Sequence, residues 1–195
     1  MFTSCKIVML GKGAVGKTSI STRFAFGSFK NYYEPTIEDI FKTSVDLEGK
    51  IVALEVLDTA GQEEYQSLRD QYIKMGDGFV LVYSIIDQDS FFNVDLYRDI
   101  LYQMLSVKNP EDVDCCLCGN MCDLDNQRSV IEQDAKNYAN EWKMLFYEVS
   151  AKNDINIMNM YKALMKKIKE RKIRSQGDLC SLYVQQEKKK KCSLL

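Results

Sequence analysis

The segment Gly11-Lys-Gly-Ala-Val-Gly-Lys-Thr18 fits the pattern G-x-x-x-x-G-K-[ST]. It lies between a short apolar run, Lys6–Leu10, and a helical pattern from Lys17 to about Phe26. That context dictates local structure. A strand must deliver the chain into a glycine-rich turn and a helix must leave it, so that unpaired N–H groups converge at the helix start. Such a nest binds phosphate. Glycines let the backbone wrap a phosphate chain, Lys17 adds positive charge over the β and γ phosphates, and Thr18 offers a hydroxyl to Mg2+. Gly13, Ala14, Val15, Gly16, Lys17, Thr18 and Ser19 are the candidate phosphate-side residues. An ordinary glycine-rich turn is the plain alternative, and the flanking strand and helix speak against it.

The rest of the chain supplies more strands and helices in alternation. Phe41, Thr43, Val45 and Leu47 alternate with polar residues, which predicts a strand with one wet face. Glu48-Gly49-Lys50 reads as a turn, and Ile51–Leu57 as the return strand of a hairpin. Gly78–Ser84, Cys115–Asn120 and Leu145–Val149 complete six strands. Helical stretches fall near 66–74, 90–107 and 131–144. A final helix is predicted from about Asn153 to Arg174, with Ile157, Met160, Tyr161, Leu164, Met165 and Ile168 on one stripe. The fold class is therefore α/β: a mostly parallel six-stranded sheet with one antiparallel hairpin strand and helices on both faces. Residues 1–174 form one domain, and 175–195 read as a flexible polar tail. Ligands on such sheets bind beyond the carboxyl ends of the strands.

Composition narrows the setting. A hydrophobic fraction of 46% and a charged fraction of 28% are those of an ordinary soluble domain. No apolar run approaches the roughly 20 residues that span a bilayer. The N-terminus is too weakly apolar for a secretory signal, so the expected compartment is the cytosol. The net charge of −2 hides an uneven split, because residues 162–195 hold 11 Lys/Arg against 3 Asp/Glu. An acidic body with a basic end points to an anionic surface as the partner of that end, and away from nucleic acid, which the body would repel. Four of the 7 cysteines, Cys115, Cys116, Cys118 and Cys122, crowd together. They fall on a predicted buried strand and its loop, and free Cys packs as a small hydrophobe. A C-x2-C spacing with no second pair and no histidine does not complete a zinc site.

Asn120-Met-Cys-Asp123 follows the fifth strand and bears on which base accompanies the phosphates. A carboxylate at Asp123 can accept both N1–H and the exocyclic amine of guanine. Adenine lacks that donor pair and would leave the carboxylate unpaired. Ser150-Ala151-Lys152, after the last strand, can close the other side of the base. Asp58-Thr-Ala-Gly-Gln62 follows the third strand. Asp58 is placed to reach Mg2+ through a water, Gly61 to bring its N–H to a γ-phosphate, and Gln62 to orient a water for in-line attack. The catalytic set read from these motifs is then Lys17, Gly61 and Gln62, and the metal set Thr18 and Asp58.

Taken together, residues 6 to about 172 resemble the Ras family of small GTPases. Tyr33-Glu-Pro-Thr-Ile-Glu-Asp39 is similar to that family's first switch, and Asp58–Tyr65 with Arg69-Asp-Gln-Tyr72 to its second. The resemblance implies a small G-protein fold that binds GTP or GDP with Mg2+ and hydrolyses GTP slowly. It implies that Thr36 is the second hydroxyl ligand of Mg2+, that Phe29 meets the base edge, and that Tyr33 covers the phosphates, with Pro35 in the same segment. Gly13 would leave room for an arginine from an activating partner. A guanine-nucleotide exchange factor, a GTPase-activating protein and effectors meeting residues 33–41 are the implied partners. The absence of an extra helical insert argues against Rho proteins, of a paired-cysteine end against most Rab proteins, and of a glycine at position 2 against Arf proteins. Gln62 fits Ras or Ral better than Rap.

One departure is Met121, where the family's base motif carries a lysine that ties the base-reading segment to the phosphate loop. Met keeps the apolar stem and loses the charge, so nucleotide release should be faster unless Lys12 or Lys152 compensates. Ala14 replaces a common glycine. The sequence closes on Lys188-Lys-Lys-Lys191 and Cys192-Ser-Leu-Leu195, a prenylation box whose Leu favours geranylgeranyl on Cys192. That predicts a lipid anchor at the cytoplasmic face of a membrane, the plasma membrane first, with the lysines against anionic lipid. A binding module without turnover and an ATPase on the same loop are the competing functions; Gln62 argues against the first and Asp123 against the second.

Overall fold

The structure is a computed structural model, and it describes residues 2–29, 38–59 and 66–192. The elements run β1 (Ser4–Leu10), α1 (Lys17–Phe26), β2 (Glu38–Leu47), β3 (Lys50–Thr59), α2 (Gln66–Met75), β4 (Gly78–Ser84), α3 (Gln88–Leu105), β5 (Cys115–Asn120), α4 (Glu132–Glu141), β6 (Leu145–Glu148) and α5 (Ile157–Cys192). The sheet order is β2-β3-β1-β4-β5-β6. Only β2 and β3 pair antiparallel; every other pair is parallel. The expected six-stranded architecture is therefore the observed one.

Alternation along each strand sorts the side chains into two cores. Ile7, Met9, Val80, Val82, Cys116 and Cys118 meet Ile20 of α1 and the stripe of α5 on one face. Val8, Leu10, Phe79, Leu81, Cys115 and Leu117 meet α2, α3 and α4 on the other. The strand cysteines thus fill both faces of one strand, and among the described residues no group of three or more metal-ligating side chains assembles. Burial raises their thiols far above the ordinary range. All six stripe residues of α5 are buried. At about 1.5–3 kcal/mol each, their burial contributes on the order of 10 kcal/mol towards docking that helix.

Four element ends differ from the apolar pattern, each for a local reason. Asp87 caps α3 by accepting from Ser90 N at 3.2 Å, so that helix begins two residues before the expected position 90. Helix α4 ends at Glu141 because Lys143 takes φ 55° and Met144 N closes back on Ala139 O at 2.8 Å. The final helix starts late, at Ile157, because Asp154 and Asn156 are left-handed and Ser150 bridges to Ile155. It also runs on past Arg174 to Cys192. No proline interrupts that stretch, and its Gln, Glu and Lys are good helix formers.

Candidate functional site

Every motif singled out above that falls within the described residues leaves the carboxyl end of a strand. Gly11 follows β1, Asp58 lies near the end of β3, Asn120 ends β5, and Ser150 follows β6. Parallel pairing of β1 with β3 sets Met9 beside Asp58, and Thr59 Oγ1 donates to Met9 O at 2.8 Å. These contacts bring the loop after β1 and the carboxylate of β3 to one edge.

The glycines of the first loop are required by close approach. A Cβ on Gly11 would lie 2.2 Å from Val82 O of β4, and its φ is +145°. A Cβ on Gly16 would lie 2.3 Å from Asn120 Nδ2 at φ +90°. Gly13 is different: a Cβ there would meet nothing within 4 Å. Ala14 adopts φ 63°, a left-handed conformation that costs a side-chain-bearing residue about 1–2 kcal/mol. Val15 is buried, and Ser19 lies half-buried on the first turn of α1.

Lys17 is only 5% exposed, and its ammonium donates to Gly11 O at 2.7 Å and Lys12 O at 2.9 Å. Burial brings its pKa down to about 8 against the opposing pull of Asp58. Asp58 is fully buried and its pKa is pushed up to about 6, by burial first, with the Thr18 hydrogen bond and Lys17 working the other way. One carboxylate oxygen accepts from the Thr18 hydroxyl, while the other, Oδ1, is buried and, among the described residues, has no hydrogen-bond partner. An anionic ligand would restore the ammonium and a cation the carboxylate. The cleft is chemically set for both.

The turns after β5 and β6 are equally tied together. Asn120 Nδ2 donates to Val15 O at 2.9 Å, and Ala151 N approaches Asn120 Oδ1 at 3.4 Å. Ser150 Oγ donates to Asp123 Oδ1 at 2.6 Å and accepts from Asn153 N at 3.0 Å. Asp123, Ser150 and Ala151 are thus brought together as expected. Phe29 is half-buried against the core that holds α1, and Lys152 is exposed. Met121 takes φ 67°, with its sulfur 3.3 Å from the Ser84 hydroxyl. Lys12 reaches Asp87 at 3.4 Å, at the start of α3, and not the Asn120–Asp123 turn. Tyr33, Pro35, Thr36, Gly61 and Gln62 lie outside the described residues. Of the effector segment 33–41, Asp39 and Ile40 are exposed and Phe41 is buried.

Compared with known families, the sequence model described as the Ras family matches residues 6–170, from β1 into α5. The chain belongs to the Ras family. A Ras-family protein is a small GTPase, so GTP and GDP are its ligands and regulators and effectors its partners in general. The matched span contains the phosphate loop, Asp58, the Asn120–Asp123 turn and Ser150–Lys152, all of which the Ras-family fold here gathers at one sheet edge. One residue that the sequence did not single out joins them. Arg23, in the last turn of α1, donates to the carbonyls of Gly27, Ala151 and Lys152. Its sequence signal, a basic residue near a helix C-terminus, is shared by many helices.

Proposed function

We propose that this protein is a Mg2+-dependent switch that hydrolyses GTP slowly, on the Ras or Ral side of the family, and is held to the cytoplasmic face of a membrane by a prenylated tail. The observation that carries it is the buried carboxylate of Asp58, with its unpartnered Oδ1 and its contact to the Thr18 hydroxyl, beside Lys17. These residues fit a small hard cation, which takes oxygen ligands and keeps phosphate oxygens and water in its remaining positions. When bound, Mg2+ neutralises charge on the phosphate oxygens. Lys17 and the N–H groups at the start of α1 hold the phosphates, Asp123 reads guanine, and Ser150 holds that carboxylate in place. Gln62 orients the attacking water, and Thr36 and Gly61 meet the γ-phosphate side. Competition against a fluorescent guanine nucleotide, with single-turnover phosphate release, tests this. GTP should displace the probe, ATP should not, and chelating Mg2+ should speed release. Displacement by ATP at equal concentration, or no phosphate after many hours, would refute it.

Met121 sets a rate within this scheme. Position 121 offers no ammonium to join the base turn to the phosphate loop, Lys12 is committed to Asp87, and Lys152 is exposed. Met121→Lys is expected to slow GDP dissociation by about 10–100-fold, the worth of one charge-assisted hydrogen bond of about 1.5–3 kcal/mol. Dissociation of fluorescent GDP in excess Mg2+ measures it, and equal or faster release from the variant would refute the assignment.

The anchor reading rests on Cys192 behind Lys188–Lys191. One prenyl chain binds marginally, and four lysines near anionic lipid add about 1 kcal/mol each. Cys192→Ser is expected to shift the protein from the floating to the soluble fraction in vesicle flotation after expression in a prenylating cell. Equal membrane fractions would remove the lipid anchor from the scheme.

A further inference from the structure

We propose that Arg23 is a positioning residue that sets how long the nucleotide stays bound, by fastening both walls of the base pocket to α1. The proposal rests on the guanine-nucleotide reading above. Arg23 lies six residues beyond Lys17 on the same helix, and its side-chain hydrogen bonds go to none of the phosphate-side residues. Its guanidinium presents N–H groups in a rigid planar fork. Here the fork is directed at backbone. Nε donates to Ala151 O at 2.8 Å, Nη2 to Lys152 O at 2.9 Å, and Nη1 to Gly27 O at 2.7 Å. Among the described residues Arg23 pairs with no carboxylate, so the three carbonyls account for its hydrogen bonds. The guanidinium carbon also lies 5.9 Å from the centroid of the Phe29 ring, within cation–π reach.

The chain segments so joined are distant in sequence and adjacent at the base. Ala151 N faces Asn120 Oδ1, and Ser150 holds Asp123, so the 150–152 turn is one wall. On the reading that Phe29 meets the base edge, the segment just after the Gly27 turn that ends α1 is the other. Gly27 takes φ +66° as its N–H bonds Arg23 O at 2.9 Å, so the same residue closes the helix with its carbonyl and steers the exit with its side chain. The 150–152 turn is otherwise held to the end of β5 and to itself, by Ala151 on Asn120, Ser150 on Asp123 and the Ser150–Ile155 bridge. Loss of the fork would untie both walls from α1 at once. The phosphate loop would keep its geometry, since Lys17 and Asp58 are untouched. The effect must therefore fall equally on GDP and GTP.

The test is dissociation of fluorescent GDP and of a fluorescent non-hydrolysable GTP analogue in excess Mg2+, from the full chain. Arg23→Ala is expected to release both about 10–100-fold faster, by the same factor, the range that corresponds to losing about one charge-assisted hydrogen bond's hold on the walls. Arg23→Lys, which can reach one carbonyl at a time, should fall between wild type and Arg23→Ala and guards against an alanine variant that fails to fold. Arg171→Ala is the control for general destabilisation. It removes the bonds to Asp114 and Asp77 O, at the opposite end of β4 and β5. It should lower Tm and leave release within about twofold of wild type. Unchanged release from both Arg23 variants, acceleration of GDP alone, or equal acceleration in Arg171→Ala would overturn the proposal. Wild type that binds no fluorescent GDP would instead sink the functional reading beneath it.

Discussion

Asp123→Asn is expected to weaken GTP and GDP binding by about 10^2–10^4-fold and to turn the site towards xanthine nucleotides. The carboxylate can accept N1–H and the exocyclic amine of guanine together. Each hydrogen bond to a charged group is worth about 1.5–3 kcal/mol, and every 1.4 kcal/mol is a factor of ten. A carboxamide keeps one acceptor and sets an NH2 against the guanine amine. Xanthine carries a carbonyl at that place and keeps N1–H, so the same carboxamide matches it. The Ser150 hydroxyl that donates to Asp123 Oδ1 can go on donating to the amide oxygen, so the side chain should keep its orientation. Competition of GTP and XTP for the variant measures the exchange of preference. Undiminished GTP affinity would mean that another group reads the base.

Gln62→Leu is expected to abolish the hydrolysis stimulated by an activating partner while leaving GTP binding intact. Activating partners of such GTPases raise turnover by about 10^3–10^5-fold, a range known for this family. Most of that depends on a water held in line with the γ-phosphate, and leucine has neither donor nor acceptor to hold it. Gln62 belongs to the part of the chain outside the described residues, so the expectation rests on its place after Asp58 and on the family. Phosphate release in single turnover, with and without the activating partner, decides it. A variant hydrolysing at the stimulated wild-type rate would remove Gln62 from the mechanism.

The sequence was most legible where one residue type serves one local need. Gly11 to Thr18 could be placed because a phosphate nest demands glycine, lysine and hydroxyl at fixed spacing after a strand. The hairpin of β2 and β3 was legible from alternation, and its expected start at Phe41 moved only to Glu38. What stayed hidden depends on partners far along the chain. The contact of Arg23 with Ala151 spans 128 residues. Nothing local distinguishes such an arginine from one that merely complements a helix dipole. Lys12 was a candidate to replace the missing lysine at 121, but its side chain leaves the loop towards α3. Only the fold shows that Asp87 stands there. The end of α5 escaped for another reason: the apolar stripe reports where a helix is packed, and helix formers continue one beyond its packing.

The turn between β2 and β3 works as a gauge. Glu48 and Gly49 both take positive φ, 57° and 77°, and they fix Leu47 opposite Lys50. Every rung is counted from there, until Asp39 meets Asp58 and Glu38 meets Thr59. The chain entering before Glu38 and the chain leaving after Thr59 are therefore issued from a single rung, about 30 Å from the corner that measured it. One extra residue in that corner would slip the whole ladder and present water-facing side chains to the core. The level at which Glu38 and Thr59 face each other is thus kept at the far corner of the hairpin, where a surface insertion would be felt at the Asp58 carboxylate that the corner never touches.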